Sequence, residues 1–101
     1  MKYVRKVKYK GLSEQLEAVA SDPDSIKYIE NPSEAVQLMA VSDFGDCIQF
    51  IHNPSEAVQL VAVLEYAYSI RYIHNPSEAV VKYIYTNHRK VFDEFFEEVQ
   101  E

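Results

Sequence analysis

The sequence is short of the residues on which small secreted and loop-rich proteins depend. It has one cysteine in 101 residues, so no internal disulfide can form and residence in the cytoplasm is expected. Only two glycines are present, which argues against a β-sandwich with many tight turns. Tryptophan is absent, and eight Tyr and five Phe supply the aromatic bulk instead. No apolar run approaches the ~20 residues that a membrane span needs. The N-terminus is basic, but no apolar stretch follows it, so no secretory signal is expected. Phosphate-binding glycine loops, Ser-centred elbows, Cys-x-x-Cys and His-Glu-x-x-His are all missing. Neither an enzymatic activity nor a cofactor is expected.

What is present is repetition. Residues 31–36 read Asn-Pro-Ser-Glu-Ala-Val, and the same six residues return at 53–58 and 75–80, 22 residues apart each time. A fixed period of this length marks a repeat architecture. The phrase also carries helix-start chemistry. Asn31 is expected at the N-cap, Pro32 at N1 and Glu34 at N3. Asn53 with Glu56, and Asn75 with Glu78, repeat the pattern. Proline in the middle position removes Asn-Pro-Ser as a glycosylation acceptor. Behind each cap lies a short, mostly apolar helix (Ala35, Val36, Leu38, Met39, Ala40, Val41), then a second helix of about two turns near Asp46–Ile51. Leu38 and Leu60 are expected to be buried.

The same offset aligns Gln15, Leu16, Ala18 and Val19 with Gln37, Leu38, Ala40 and Val41. One domain is therefore expected: a basic arm over 1–11, a degenerate repeat over 12–30 whose second helix starts at Asp22-Pro23, full repeats over 31–52 and 53–74, and a half repeat plus capping helix over 75–101. The capping helix, from about Arg89, sets Val91, Phe92, Phe95, Phe96 and Val99 inside and Asp93, Glu94, Glu97, Glu98 and Glu101 outside. The fold expected is all-α, a short right-handed α-solenoid of 22-residue two-helix units with an extended N-terminal arm and an amphipathic C-terminal capping helix.

The repeated phrase, followed by Gln-Leu-x-Ala-Val and an Ile-x-Tyr/Phe-Ile ending, resembles a short repeat of bacteriophage and giant-virus proteins, a domain of unknown function. The resemblance covers residues 12–85. It implies a helical repeat and a viral source, and it implies no activity.

Charge is divided along the chain. Residues 1–10 hold five cations (Lys2, Arg5, Lys6, Lys8, Lys10) and no acid, whereas the remainder carries a net −11. The arm, with Tyr3 and Tyr9 between its cations, is a candidate for nucleic-acid contact. The acidic terminal helix is a candidate nucleic-acid mimic through Glu94, Glu97 and Glu98. His52 and His74 lie one repeat apart, and equivalent positions on helices ~8–10 Å apart are too distant to share one metal ion. No metal site is expected, and Cys47 reads as an inert core thiol.

A partner surface is sought at positions that differ between repeats. The third repeat fills them with Val61, Tyr66, Tyr68 and Arg71, joined by Leu64. Phe44 precedes this set, and Tyr83 and Tyr85 continue it. Tyr and Arg are common interface anchors. These residues point to a protein-binding module with a homodimer or higher homo-oligomer as its state, and the resemblance to viral repeats implies a host protein as its partner. The blander alternative has these aromatics packing only under the terminal helix.

Overall fold

Three serines set the helix starts. Ser33, Ser55 and Ser77 are the N-caps, and each Oγ accepts a hydrogen bond from the backbone N–H of Val36, Val58 or Val80, at 3.4, 3.3 and 3.2 Å. This corrects the expected register by two residues. Glu34, Glu56 and Glu78 stand at the first helical position rather than at N3. Asn31 and Asn53 lie before the cap with φ of 52° and 50°. That left-handed conformation is one that Asn tolerates better than most residues. The asparagines therefore serve as the turn and the serines as the caps.

The computed structural model describes Lys2 and residues 11–99. The arm expected over 1–11 thus lies outside the described residues save for Lys2 and Gly11, as does Glu101. The described part is all-helical, with no strand. Ten-residue α-helices α1 (Leu12–Ser21), α2 (Glu34–Asp43), α3 (Glu56–Glu65) and α4 (Glu78–Asn87) recur, and the last is followed by α5 (Arg89–Phe95). Six-residue 3-10 helices stand between them: η1 (Pro23–Tyr28), η2 (Gly45–Phe50) and η3 (Ala67–Tyr72). The second helix of each unit is thus two tight 3-10 turns. Asp22 caps η1 as expected, its carboxylate accepting from Asp24 N at 3.1 Å, with Pro23 next.

Side chains at matching positions form the core. Val36, Val58 and Val80 are fully buried, as are Val19, Val41 and Val63. Ile26, Ile48 and Ile70 line the 3-10 segments, and Ile29, Ile51 and Ile73 close each one. Leu38 and Leu60 are only partly buried against this core, which corrects their expected burial. The 3.6-residue turn places the β-branched residue two positions earlier on the inner line instead. Packing is sequential: α1 on α2, α2 on α3, α3 on α4, with η1 on η2 and η2 on η3.

Contacts between units join different positions. Cys47 Sγ donates to Asp24 Oδ1 at 3.4 Å, and Ser69 Oγ donates to Asp46 Oδ1 at 2.9 Å. Ser55 Oγ donates to Glu34. Gln59 is a staple: its Nε2 donates to Pro54 O at 3.1 Å and its Oε1 accepts from Ser77 N at 2.9 Å. Gly45 sits where η2 meets α3. A Cβ there would lie 2.5 Å from Ala62 O and 2.7 Å from Ser69 Oγ.

The C-terminal end differs from expectation. α5 stops at Phe95, with Phe96 extended at φ −131°. Phe95 is 40% exposed and Val99 is 84% exposed, so neither belongs to the inner stripe. Val91, Phe92 and Phe96 do pack inward, Phe92 stacking on Phe96 at 5.2 Å. Arg89 stands 22 residues after Ala67, so α5 starts in the register of the 3-10 helices. Val91 and Phe92 take the places of Ser69 and Ile70.

Candidate interaction surface

Each of α1, α2 and α3 ends in an extended residue that also begins the following 3-10 helix. In α2 that residue is Phe44, and in α3 it is Tyr66. Their backbones turn away from the helix axis, and the rings remain 43% and 45% exposed. Leu64, the last residue but one of α3, is 62% exposed. From Tyr66 the aromatic surface runs on: Tyr66 to Tyr68 at 5.9 Å between ring centroids, and Tyr68 edge-on to Phe95 at 6.0 Å. Tyr66, Tyr68 and Phe95 thus form a chain of ring contacts, called the ridge together with Leu64, two residues before Tyr66, and Phe44, which holds the place of Tyr66 one unit earlier. Phe95 was missed by sequence reasoning. Its place in an amphipathic pattern puts it inside, and no Gly or Pro announces that the helix ends there.

The other expected anchors are engaged within the molecule. Arg71 Nη2 donates to Asp46 Oδ2 at 2.8 Å and to Tyr72 Oη at 3.3 Å, while Nη1 donates to Tyr68 O at 3.0 Å. Its guanidinium lies 4.5 Å from the Tyr72 ring centroid and 5.8 Å from that of Tyr66. The hydrogen bond to Tyr72, then Asp46, holds Arg71 above the ordinary arginine range. It thereby ties Tyr66 and Tyr72 to Asp46. Tyr83 packs on His88, with Oη and Nε2 at 3.3 Å. Tyr85 meets Phe92 edge-on at 4.9 Å under the Arg89 guanidinium. Val61 is half-buried. Packing against the terminal helix therefore describes Tyr85 and part of Tyr68, and leaves Phe44, Leu64 and Tyr66 open.

The ridge is flanked by carboxylates. Asp43 and Glu65 directly precede Phe44 and Tyr66 and are exposed. The Glu94 carboxylate is the main cause that raises the Tyr68 phenol above its ordinary value. None of the three carboxylates forms an ion pair among the described residues. Glu98 differs: it pairs with Arg89 at 3.2 Å. Of the basic arm, only Lys2 is described, and it is exposed; Arg5, Lys6, Lys8 and Lys10 lie outside the described residues.

Two further features have chemical character. Cys47 is fully buried. Burial, with the hydrogen bond to Asp24, pushes its thiol up to about 12. A groove of about 310 Å³ separates the turns of the second and third units, floored by Ile51, Pro54, Tyr72 and Ile73 and edged by His52, Asn53, His74 and Asn75. Both histidines are exposed, and no cluster of three or more metal-ligating side chains occurs among the described residues. No described helix is long and apolar enough to cross a membrane. Comparison with family models, with curated proteins and with solved structures finds no match.

Proposed function

We propose that the chain is a non-enzymatic protein-binding module: a short α-solenoid of 22-residue units that presents one aromatic ridge to a partner. The carrying observation is the exposure of Leu64, Phe44 and Tyr66, at 62%, 43% and 45%, with ring contacts that run from Tyr66 to Tyr68 and Phe95. Large apolar groups grouped on one surface mark interaction sites more often than single ones do. Tyr on a rigid base loses little conformational freedom on binding. Sequential packing of the units, and register retained from η1 to α5, support the solenoid description.

The resemblance of the repeated phrase to a bacteriophage and giant-virus repeat supports a further step. On this reading the chain is a small phage-encoded factor that binds a host protein, such as a defence component, in the host cytoplasm and blocks or redirects it. The test is capture from host lysate by three versions of the full chain: unchanged, Leu64→Ala with Tyr66→Ala, and a version whose Lys2, Arg5, Lys6, Lys8 and Lys10 are replaced by Gln. The expected result is one protein retained by the first and third and lost by the second. Recovery of salt-sensitive RNA or DNA that disappears only in the third version would instead establish nucleic-acid binding through the arm. Displacement of the captured protein by nucleic acid, abolished by neutralising Glu94, Glu97 and Glu98, would establish a mimic.

A further inference from the structure

The ridge has a charge problem that points to its occupant. The cation over the Tyr66 ring, Arg71, is already paired with Asp46 at 2.8 Å. The carboxylates nearest to the ridge are Glu94, beside Tyr68, and the exposed Asp43 and Glu65, which directly precede Phe44 and Tyr66 in the chain, and none is in an ion pair among the described residues. A ligand for this surface must bring apolar or aromatic groups for the ridge and positive charge for its rim. An acidic or neutral partner would leave three carboxylates partly desolvated without compensation.

The chain itself carries such a ligand. Residues 2–10 alternate five cations with Tyr3, Val4, Val7 and Tyr9 and contain no acid, while the rest of the chain has a net −11. We infer that the ridge of one copy binds the basic N-terminal segment of a second copy, and that the exchange is mutual. The lysines and arginine meet Asp43, Glu65 and Glu94, and the tyrosines and valines cover Leu64, Phe44 and Tyr66. Reciprocal exchange gives a closed two-fold dimer that buries both ridges and stops at two chains. This inference rests on the reading of the ridge as a binding surface and names a partner for it. A host target would then compete with the second copy for the same residues.

Sedimentation of the full chain at about 100 µM, well above a micromolar dissociation constant, tests this. The expected result is a species of twice the 11.7 kDa chain mass. It should dissociate in 1 M salt, where screening shortens to about 3 Å. Replacing Lys2, Arg5, Lys6, Lys8 and Lys10 by Gln should yield monomer. So should Leu64→Asp, a substitution at an exposed position that leaves the far-UV spectrum unchanged. A synthetic peptide of residues 1–11 should bind the Gln-substituted chain and lose at least about tenfold in affinity for the same chain bearing Leu64→Asp. A monomer at all concentrations would overturn the inference, as would a dimer insensitive to either set of substitutions. Self-association lost with the arm but kept in Leu64→Asp would overturn it too, by showing that the arm binds elsewhere. A host protein captured through Leu64 and Tyr66 by a chain that stays monomeric would overturn this inference and leave the proposed function standing.

Discussion

Single positions carry the fit between units, and they divide into tight and tunable. Gly45 is tight, because a methyl group there meets the Ala62 carbonyl at 2.5 Å, and a backbone atom cannot swing aside. Gly45→Ala is expected to cost about 1–3 kcal/mol in urea unfolding, as overpacked substitutions do. Cys47 is tunable. It occupies the place of Ser69, and both donate to the aspartate of the preceding unit. Its thiol is raised to about 12 from an ordinary 9.0. The unfolded chain therefore releases this proton first as pH rises. The contribution to stability is complete below about 9 and is lost between there and about 12. Cys47→Ser keeps the donor and removes the titration. Its stability should fall less steeply over that window than that of the unchanged chain, and an equal slope would refute the assignment. The bonds of Asp24, Asp46 and Arg71 show why sequence reading took Arg71 as free for a partner. It compared like positions between repeats, whereas the bonds run from one position to a different position 23 or 25 residues on.

At the scale of the element, each helix start divides its tasks between two residues, and a substitution pair separates them. Ser55→Ala removes the bond to Val58 N and should cost about 0.5–2 kcal/mol. Asn53 acts through its backbone, at φ 50°. Asn53→Gly should therefore be nearly neutral, while Asn53→Val, which resists positive φ, should cost about 1–2 kcal/mol. Equal losses for both would return the cap to the asparagine. Much of this level was legible in the sequence: the period, the two helices per unit, the Asp22-Pro23 start of η1 and the inward lines of Val and Ile. The cap was misplaced because Asn and Ser are both good caps. Choosing between them requires knowing which one holds a left-handed backbone. The early end of α5 was illegible for a related reason. Phe96 turns extended at φ −131° while its ring still stacks on Phe92 four residues back, and the amphipathic pattern itself runs on past that point. Of the ridge, Phe44, Tyr66 and Tyr68 were read as variable positions and Leu64 as joining them, whereas Phe95 was missed.

At the scale of the whole molecule, sequential packing makes a prediction about length. If each unit contacts only its neighbours, the chain tolerates loss of one whole period provided the new junction restores every bond between units. Deleting residues 45–66 meets that condition. It joins Phe44 to Ala67, so that α2 is followed by η3 and then α4. Ser69 and Arg71 then face Asp24, which stands 22 residues before their present acceptor Asp46. Gln37, which already donates to Pro32 O as Gln59 does to Pro54 O, takes over the bond to Ser77 N. Ala67, Tyr68 and Phe95 keep their contacts at the terminal helix. Deleting residues 56–66 removes α3 alone and leaves η2 and η3 facing the turns with no helix between them. The first deletion should unfold cooperatively with helical content per residue unchanged and a lower midpoint. The second should give no cooperative transition and bind a hydrophobic dye. If both deletions unfold the chain alike, the contacts between non-adjacent parts outweigh those between neighbours, and the solenoid description fails. If the 22-residue deletion also retains the partner, the part of the ridge formed by Phe44, Tyr68 and Phe95 is enough for binding, and Leu64 and Tyr66 add affinity without being essential.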